Sequence, residues 1–597
     1  MSTTTGQLNV TELLAASGVF SALDKDMIQA VAQELQPMRL MGGETLFREG
    51  DSGESLFLLV HGRLAVSVNK QLVGEVGRGQ VVGEMSVLTG EPRSATVRAE
   101  RDSLLVRFSK EAFERIVEKD PRVMTLISRR LIARLREASK GTFRARVVTI
   151  ALLPVHASVP IADIAKNFTQ SLSEFGKCGN ITSKWFDDIS KGDEAFNASA
   201  PLQELENQFQ FVIYQADPAR PNWTRLCLRQ ADRILIIARG DQQPDSATLG
   251  NVVDELRMVR KTAPSELVLV HPESNARPER TQQWVKALNV ETFHHVKAGS
   301  ATGYNRLARI LTGRAIGLVL GGGGARGFAH IGVIRAFADL GIPIDFIGGT
   351  SMGSVISAQH AAGWDFKTMI EINRKGWIDM DPMRDKTLPV MALLSCRKLD
   401  HMLDMMFDDL QIEDLWIKYF CVSANLTQAS EMVHQVGSLK RWVRASMAIP
   451  GVALPVFDKG DLLIDGGVLN NLPGDIMRQI SGGTVIVVDV SPQKDLSVDP
   501  AIQRAPSSWK IIASRMPLRE KIHVPNLLDI MMRTVMLSST QNSQEVAKGV
   551  DLYLRPPIDQ FTLFEWKSLE KLATAGYEFA RIKLQEWWQQ RLPSNIN

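Results

Sequence analysis

Twice in close succession this chain runs an apolar, strand-like segment into a glycine-rich turn and straight out into a helix-like one. That repetition confines it to a fold built on βαβ units. Ile316–Leu320 enters Gly321-Gly322-Gly323-Gly324-Ala325-Arg326-Gly327 and leaves through residues 328–340. The mostly apolar Ile344-Asp345-Phe346-Ile347 enters Gly349-Thr350-Ser351-Met352-Gly353 and leaves through residues 354–362. A serine between two glycines, on a sharp turn from strand to helix, is the geometry of a nucleophile elbow. Gly349 and Gly353 let the backbone turn where a Cβ would clash. Taken alone, G-x-S-x-G is a weak signal, because both residue types are common in loops. Its weight comes from the rest of the chain.

The upstream glycine run has two readings. Gly322, Gly324 and Gly327 satisfy the G-x-G-x-x-G of a dinucleotide site, which wants an acidic residue at the end of the second strand. Asp345 sits at nearly the right distance but precedes Phe346-Ile347, and that strand ends in the serine turn instead. The other reading, which the spacing favours, is an oxyanion hole from the N–H groups of Gly322, Gly323 and Gly324, one βαβ unit from Ser351. A candidate acid follows at a strand end in Leu462-Leu463-Ile464-Asp465-Gly466-Gly467. A Ser-Asp-His order would need a histidine beyond it. The sequence offers only His523, in a featureless loop; His330, His360, His401 and His434 precede the acid and lack distinctive contexts. The economical reading is a Ser351–Asp465 dyad in which the carboxylate takes the hydroxyl proton.

Residues 18–140 read as short strands separated by glycine turns, a small β-roll with helices. Residues 55–60 and 63–68 flank His61-Gly62 like a hairpin, and Ser109 is placed to cap a helix bearing Phe113, Ile116 and Val117. Gly83-Glu84-Met85-Ser86-Val87-Leu88, followed by Glu91-Pro92-Arg93-Ser94-Ala95-Thr96-Val97, resembles the phosphate-binding cassette of cyclic nucleotide-binding domains. Glu84 suits a ribose hydroxyl, Arg93 a cyclic phosphate, and the backbone near Ser94 an anion nest. Val82 stands where that family usually has an aromatic residue. The alternative is an empty pocket in which Glu84 and Arg93 pair with each other. The arginines between Arg122 and Arg136 line one face of an amphipathic helix, and a strand follows it. This argues against a DNA-reading helix-turn-helix.

Residues 146–312 alternate strands and helices, with buried strands read at 147–153, 209–214, 234–238 and 267–270 and polar loops at 191–203 and 241–248. The pattern is an open α/β layer domain. Its first strand leads into Pro154-Val155-His156-Ala157-Ser158, without the G-K-[ST] of an ATP-binding loop. His294-His295 reads as structural, because neighbours on a strand point oppositely. No metal site is expected.

Across 597 residues the net charge is +3 with 23% charged residues, so no global field favours nucleic acid. The four cysteines are far apart and read as free thiols of a reducing compartment. Residues 1–10 lack the pattern of a signal peptide, and no apolar run approaches the ~20 residues of a membrane span. The expectation is a cytoplasmic protein, or one peripheral on the cytoplasmic membrane face.

The three blocks Gly322–Gly327, Gly349–Gly353 and Asp465-Gly466-Gly467 resemble those of patatin-like phospholipases. Arg444-Ala445-Ser446-Met447-Ala448-Ile449-Pro450-Gly451 and Asn470-Asn471-Leu472-Pro473 extend the likeness. Gln411-Ile412-Glu413-Asp414-Leu415-Trp416 and Phe420-Cys421-Val422-Ser423 are similar to the neuropathy target esterase branch, which pairs cyclic nucleotide-binding-like domains with a patatin domain. The resemblance implies a multidomain chain: a tail (1–17), the N-terminal β-roll (18–140), the α/β linker domain (146–312), a patatin-like α/β/α hydrolase domain (315–480) and a helical C-terminal extension (481–597). It implies a serine esterase acting on phospholipid or lysophospholipid, without a catalytic cofactor and with cAMP or cGMP as a candidate regulatory ligand. Arg326 would fix the glycine loop or meet the head-group phosphate. The apolar residues Leu388, Val390, Met391, Leu393, Leu394, Met402, Met405, Met406 and Phe407 are candidates for an acyl slot. The competing function is a cyclic nucleotide-responsive scaffold with an inactive hydrolase domain.

Overall fold

The computed structural model describes residues 35–119, 149–190, 199–259, 264–491 and 545–591, less positions 70, 78, 207 and 276, together with residues 121, 124, 125 and 507. The helix read between Arg122 and Arg136 falls outside these residues but for Met124 and Thr125, and His523 falls outside them altogether. The chain divides into two compact units, residues 1–274 with 280–308, and residues 275–279 with 309–597.

The first unit opens with two four-stranded sheets. One runs in the order Gln36–Leu40, Ser103–Ser109, Ser55–His61, Val81–Val82, and the other Thr45–Phe47, Thr96–Ala99, Leu64–Val68, Gln71–Val76. Strand Ser55–His61 is buried on both faces. Leu56 and Leu58 pack with Phe113 and Ile116 of the helix Lys110–Lys119, while Phe57 and Leu59 pack with Leu64 and Val97 of the other sheet. The capping expectation holds: Ser109 Oγ accepts from Ala112 N–H at 3.2 Å. The hairpin expectation does not. The two strands flanking His61-Gly62 lie in different sheets, and Ser55–His61 pairs instead with Ser103–Ser109 and Val81–Val82. Gly62 turns the chain between sheets at φ 98°, so close to Ser103 that a Cβ would come within 2.1 Å of its hydroxyl. A local pattern of strand, turn and strand cannot distinguish such a corner from a hairpin.

The second part of this unit is an all-parallel, six-stranded sheet in the order Cys178–Ile181, Phe211–Gln215, Thr149–Pro154, Arg233–Arg239, Ser265–His271, Thr292–Lys297. The four strands read from the sequence are all present. Cys178–Ile181 and Thr292–Lys297 complete the sheet, and helices Ser199–Glu206 and Ser246–Met258 take up part of the two expected loops. His294 faces Glu266 at 2.7 Å and His295 faces His271 at 3.0 Å, so the adjacent rings have separate partners.

The second unit is built on one sheet in the order Val456–Asp458, Asp461–Asp465, Lys418–Asn425, Phe346–Thr350, Ile316–Leu320, Thr484–Val488, Leu552–Leu554, with Ser430–His434 also paired to Lys418–Asn425. The last five strands of that order are parallel, and the strands ending in Asp458 and Asp465 run antiparallel at one side. Alternation sends Leu318, Leu320, Ile486 and Val488 to a core shared with helices Ala329–Asp339, Met352–Ala361 and Leu569–Gln589. Val319, Val485 and Val487 go to the opposite core, against helix Gly474–Ser481. Among the described residues, those beyond 480 thus supply two strands and the longest helix of this unit. That helix crosses Ala329–Asp339 at very close range. A Cβ on Gly332 would lie 1.8 Å from Ala573 O, and one on Gly576 would lie 2.1 Å from Ala329 O.

Candidate active site and nucleotide cassette

Strand Phe346–Thr350 ends at Ser351, whose φ of 54° and ψ of −125° are strained for a residue with a Cβ. The turn is tight because both flanking glycines press on the neighbouring strand. A Cβ on Gly349 or Gly353 would come within 2.2 or 2.0 Å of Leu320 O. Ser351 N–H donates to Ser446 Oγ at 3.0 Å, and the Ser446 hydroxyl donates to Val422 O at 2.6 Å. The strained residue is therefore tied to the sheet through a second serine, for which sequence reasoning gave no role.

Asp465 ends the antiparallel strand Asp461–Asp465, opposite Ser423. Its carboxylate accepts from Gly467 N–H at 2.8 Å in the turn Gly466–Val468, and the Ser351 hydroxyl stands near enough to favour its charged form. Burial pushes its pKa up to about 6, against the pull of those two donors. Its side chain is shut off from water, so the ionised form loses hydration that the two nearby donors only partly replace.

The glycine run follows strand Ile316–Leu320. Gly322 packs so closely on the elbow that a Cβ there would lie 3.0 Å from Ser351 Cβ. Its flanking carbonyls are tied down: Gly321 O accepts from His330 Nε2 at 2.8 Å, and Gly322 O from Asn471 Nδ2 at 3.1 Å. Each carbonyl shares a planar peptide with the next N–H, so these bonds also fix the directions of the Gly322 and Gly323 donors. The N–H groups of Gly322, Gly323 and Gly324 make no hydrogen bond with another described residue. Burial draws the His330 pKa down to about 4, which leaves the ring neutral and able to donate one hydrogen bond. Gly327 lies in the turn Gly324–Phe328 with Arg326, which is 3% exposed. Of the two roles open for Arg326, the contacts match loop fixation. Its Nε donates to Phe561 O at 2.8 Å and its Nη2 to Asp559 O at 3.1 Å, while Ala325 N–H reaches Leu563 O at 2.8 Å.

Gly322, Gly323, Gly324, Ser351 and Asp465 line one pocket with Asn471, and its remaining wall is mostly apolar, from residues such as Trp377, Met383, Leu394, Met447, Ile449 and Val452. Trp566 closes it, stacked on Trp377 with ring centroids 4.1 Å apart. Of the residues expected to form an acyl slot, Leu394 alone reaches this pocket, and Leu393 stands at its mouth. Met402, Met406 and Phe407 are buried in the core on the inner face of helix Arg397–Phe407, while Leu388 and Val390 point to solvent. His434 is engaged elsewhere, against Ser423 Oγ at 2.7 Å and stacked on Trp442.

In the first unit, Gly83 adopts φ 83° at the start of helix Glu84–Thr89, and Glu84 is buried. Arg93 does not pair with Glu84. Its Nη1 donates to Gly83 O at 2.8 Å and its Nη2 to Ser55 O at 2.7 Å, and the guanidinium lies 4.2 Å from the Phe47 ring centroid. Its Nε is buried without a hydrogen bond, and burial pulls the guanidinium below its ordinary pKa. Ser94 is exposed beside Met85. Among the described residues no group of three or more acidic, histidine or cysteine side chains is placed to hold a metal, and no helix is long and apolar enough to cross a membrane.

Comparison with known proteins adds family matches to all three parts. Residues 37–120 match the cyclic nucleotide-binding domain, residues 146–312 the neuropathy target esterase family P-loop like domain, and residues 318–477 the patatin-like phospholipase family. Patatin-like phospholipase domain-containing protein 6 of Homo sapiens is 33% identical over 91% of this chain and 44% of its own length. Neuropathy target esterase sws of Drosophila melanogaster is 30% identical over 94% and 44%, and lysophospholipase nte1 of Aspergillus fumigatus 29% identical over 92% and 42%. The chain spans less than half the length of these relatives. With a nucleotide-binding sandwich, a P-loop like layer and a patatin sheet in one order, this chain belongs to the patatin-like phospholipase family, in its neuropathy target esterase branch.

Proposed function

We propose that the chain is a serine esterase that hydrolyses acyl esters of phospholipids or lysophospholipids. The single observation that carries this reading is that Ser351 and Asp465 line one apolar pocket together with unused glycine N–H groups. An acyl chain lies in the pocket with its ester carbonyl over Ser351. Asp465 takes the hydroxyl proton as Ser351 Oγ bonds to the carbonyl carbon. The N–H groups of the 322–324 run hold the oxyanion. Collapse of the tetrahedral intermediate expels the alcohol, which leaves with the proton from Asp465. Water then attacks the acyl-enzyme, Asp465 takes its proton, and the fatty acid is released as that proton returns to Ser351. Arg326 fixes the loop that carries the donors.

Cyclic nucleotide regulation is part of the proposal. Gly83, Glu84, Arg93 and Ser94 keep the arrangement of a phosphate cassette, and the buried Arg93 Nε is an unfilled donor for a cyclic phosphate. The scaffold reading with a lapsed hydrolase is disfavoured by the intact serine, acid and glycine geometry.

Ester hydrolysis tests this directly. Ser351→Ala is expected to lower turnover of lysophosphatidylcholine and of a p-nitrophenyl ester more than ~10³-fold and to abolish labelling by a serine-directed phosphonate. Retained turnover would falsify the assignment. The same assay with cAMP or cGMP present reads the regulatory part.

A further inference from the structure

Outside the pocket, the feature with no role yet is the loop at its mouth. Lys386 and Leu394 bridge as an antiparallel pair, and Thr387 N–H bonds Leu393 O at 3.1 Å, so the segment stands out as a short hairpin. Its base is fixed: Leu393 N–H bonds Gly451 O at 3.0 Å and Leu394 N–H bonds Val452 O at 2.9 Å, and Val452 is a wall of the pocket. Its tip is apolar and unpacked. Leu388 is 82% exposed, Val390 88% and Met391 50%, and Phe564 across the mouth is 40% exposed. Single exposed apolar residues are ordinary, but a contiguous group at a pocket mouth marks a binding surface.

The charges around the tip say what would cover it. Lys386 and Lys567, both exposed and both lining the mouth, pair with no carboxylate among the described residues. Of the acids nearby, Asp381 pairs with Arg384 at 2.9 Å, while Asp385 and Glu565 stay charged as they accept from Lys398 N–H at 3.0 Å and from Ser568 at 2.6 Å. The basic groups Arg384, Lys386 and Lys567 still outnumber the acids Asp381 and Glu565 in the lining of the mouth. An apolar tip flanked by free ammonium groups suits an anionic lipid surface, with alkyl side chains below the head groups and lysines among the phosphates. The cavity at the tip shares Trp377, Met383, Leu394, Val452, Phe564 and Trp566 with the pocket, so only these mostly apolar side chains stand between the docked surface and Ser351.

We propose that the hairpin spanning residues 386–394 docks the enzyme onto anionic lipid surfaces and opens its pocket directly onto them. This rests on the esterase reading for its purpose, but lipid docking can be measured without turnover. The test is flotation of the full chain with vesicles of phosphatidylcholine containing phosphatidylglycerol, against phosphatidylcholine alone. The chain is expected to float with the anionic vesicles. Leu388→Asp with Val390→Asp is expected to cut the bound fraction at least ~10-fold, as loss of two inserted apolar side chains would. Lys386→Glu should cut it several-fold and weaken its dependence on salt. Turnover of p-nitrophenyl butyrate and the thermal transition should stay as in the parent, since neither tip residue lines the pocket. If the double variant unfolds early, Lys386→Glu alone decides. Unchanged flotation of the variants overturns the proposal, as does a parent chain that does not float, or a tip-dependent dimer seen by sedimentation without vesicle binding. Tip-dependent flotation with no Ser351-dependent hydrolysis would uphold docking and sink the esterase reading; hydrolysis without it would do the reverse.

Discussion

Asp465 occupies a place that resists ionisation, and that sets both its chemistry and its cost. A rise from 3.8 to about 6 corresponds to roughly 3 kcal/mol against the charged form. The sign follows from linkage. The folded chain holds the proton more tightly than the unfolded chain, so this site destabilises the fold as pH rises through about 4 to 6, and fully above that. Asp465→Asn should therefore raise the thermal transition at pH 8 by a few degrees while lowering turnover more than ~10³-fold. The parent's kcat/KM should fall on the acid side with an apparent pKa near 6. An acid limb near 4, or a variant less stable than the parent, would contradict this account. Ser351 and Asp465 were legible because a glycine-framed serine and an Asp-Gly-Gly at a strand end are local patterns. Ser446, His330 and Asn471 were not, because each acts through a main-chain atom of another element, and no spacing records such a contact.

At the scale of elements, the crossing of Ala329–Asp339 with Leu569–Gln589 depends on two glycines that bring backbones together. Gly576→Val puts a branched side chain where a Cβ already lies 2.1 Å from Ala329 O. Overpacking of this kind costs about 1–3 kcal/mol, and a lowered urea midpoint would record it. Turnover should fall as well, because the segment just before this helix holds Ala325 and Arg326 of the glycine loop. An unchanged midpoint would mean that the helix is not seated there. A helical extension was expected here; its seat was not legible, since Gly332 and Gly576 look like weak points in a helix until the partner backbone is in view. For the same reason His61-Gly62 read as a hairpin, when the turn in fact carries the chain from one sheet to another.

At the scale of the molecule, the N-terminal sandwich and the α/β layer meet through buried charges within the first unit. Arg101 bonds Glu206 at 2.8 Å, Glu206 also accepts from the Tyr214 hydroxyl, Arg63 pairs with Asp232 at 2.8 Å, and Arg229 with Asp102 at 2.9 Å. Removing one partner of a buried pair strands the other, at about 3–5 kcal/mol. Arg101→Met should therefore uncouple the two parts, so that calorimetry resolves two transitions where the parent shows them joined. A single unshifted transition would rule out this seam as the link. Domain order was legible from alternating strand and helix patterns, whereas the seam joins residues that no pattern relates.

The stack of Trp566 on Trp377 joins two stretches of chain at the site. The serine, the acid, the glycine donors and most of the apolar lining come from the stretch that matches the patatin family, but Leu563, Phe564 and Trp566 come from a segment beyond it. Part of the pocket's shape is thus written outside the stretch that carries the reacting groups. Substitutions in that segment could retune which acyl chains fit while the reacting atoms stay where they are, so divergence of substrate preference need leave no trace in the catalytic blocks.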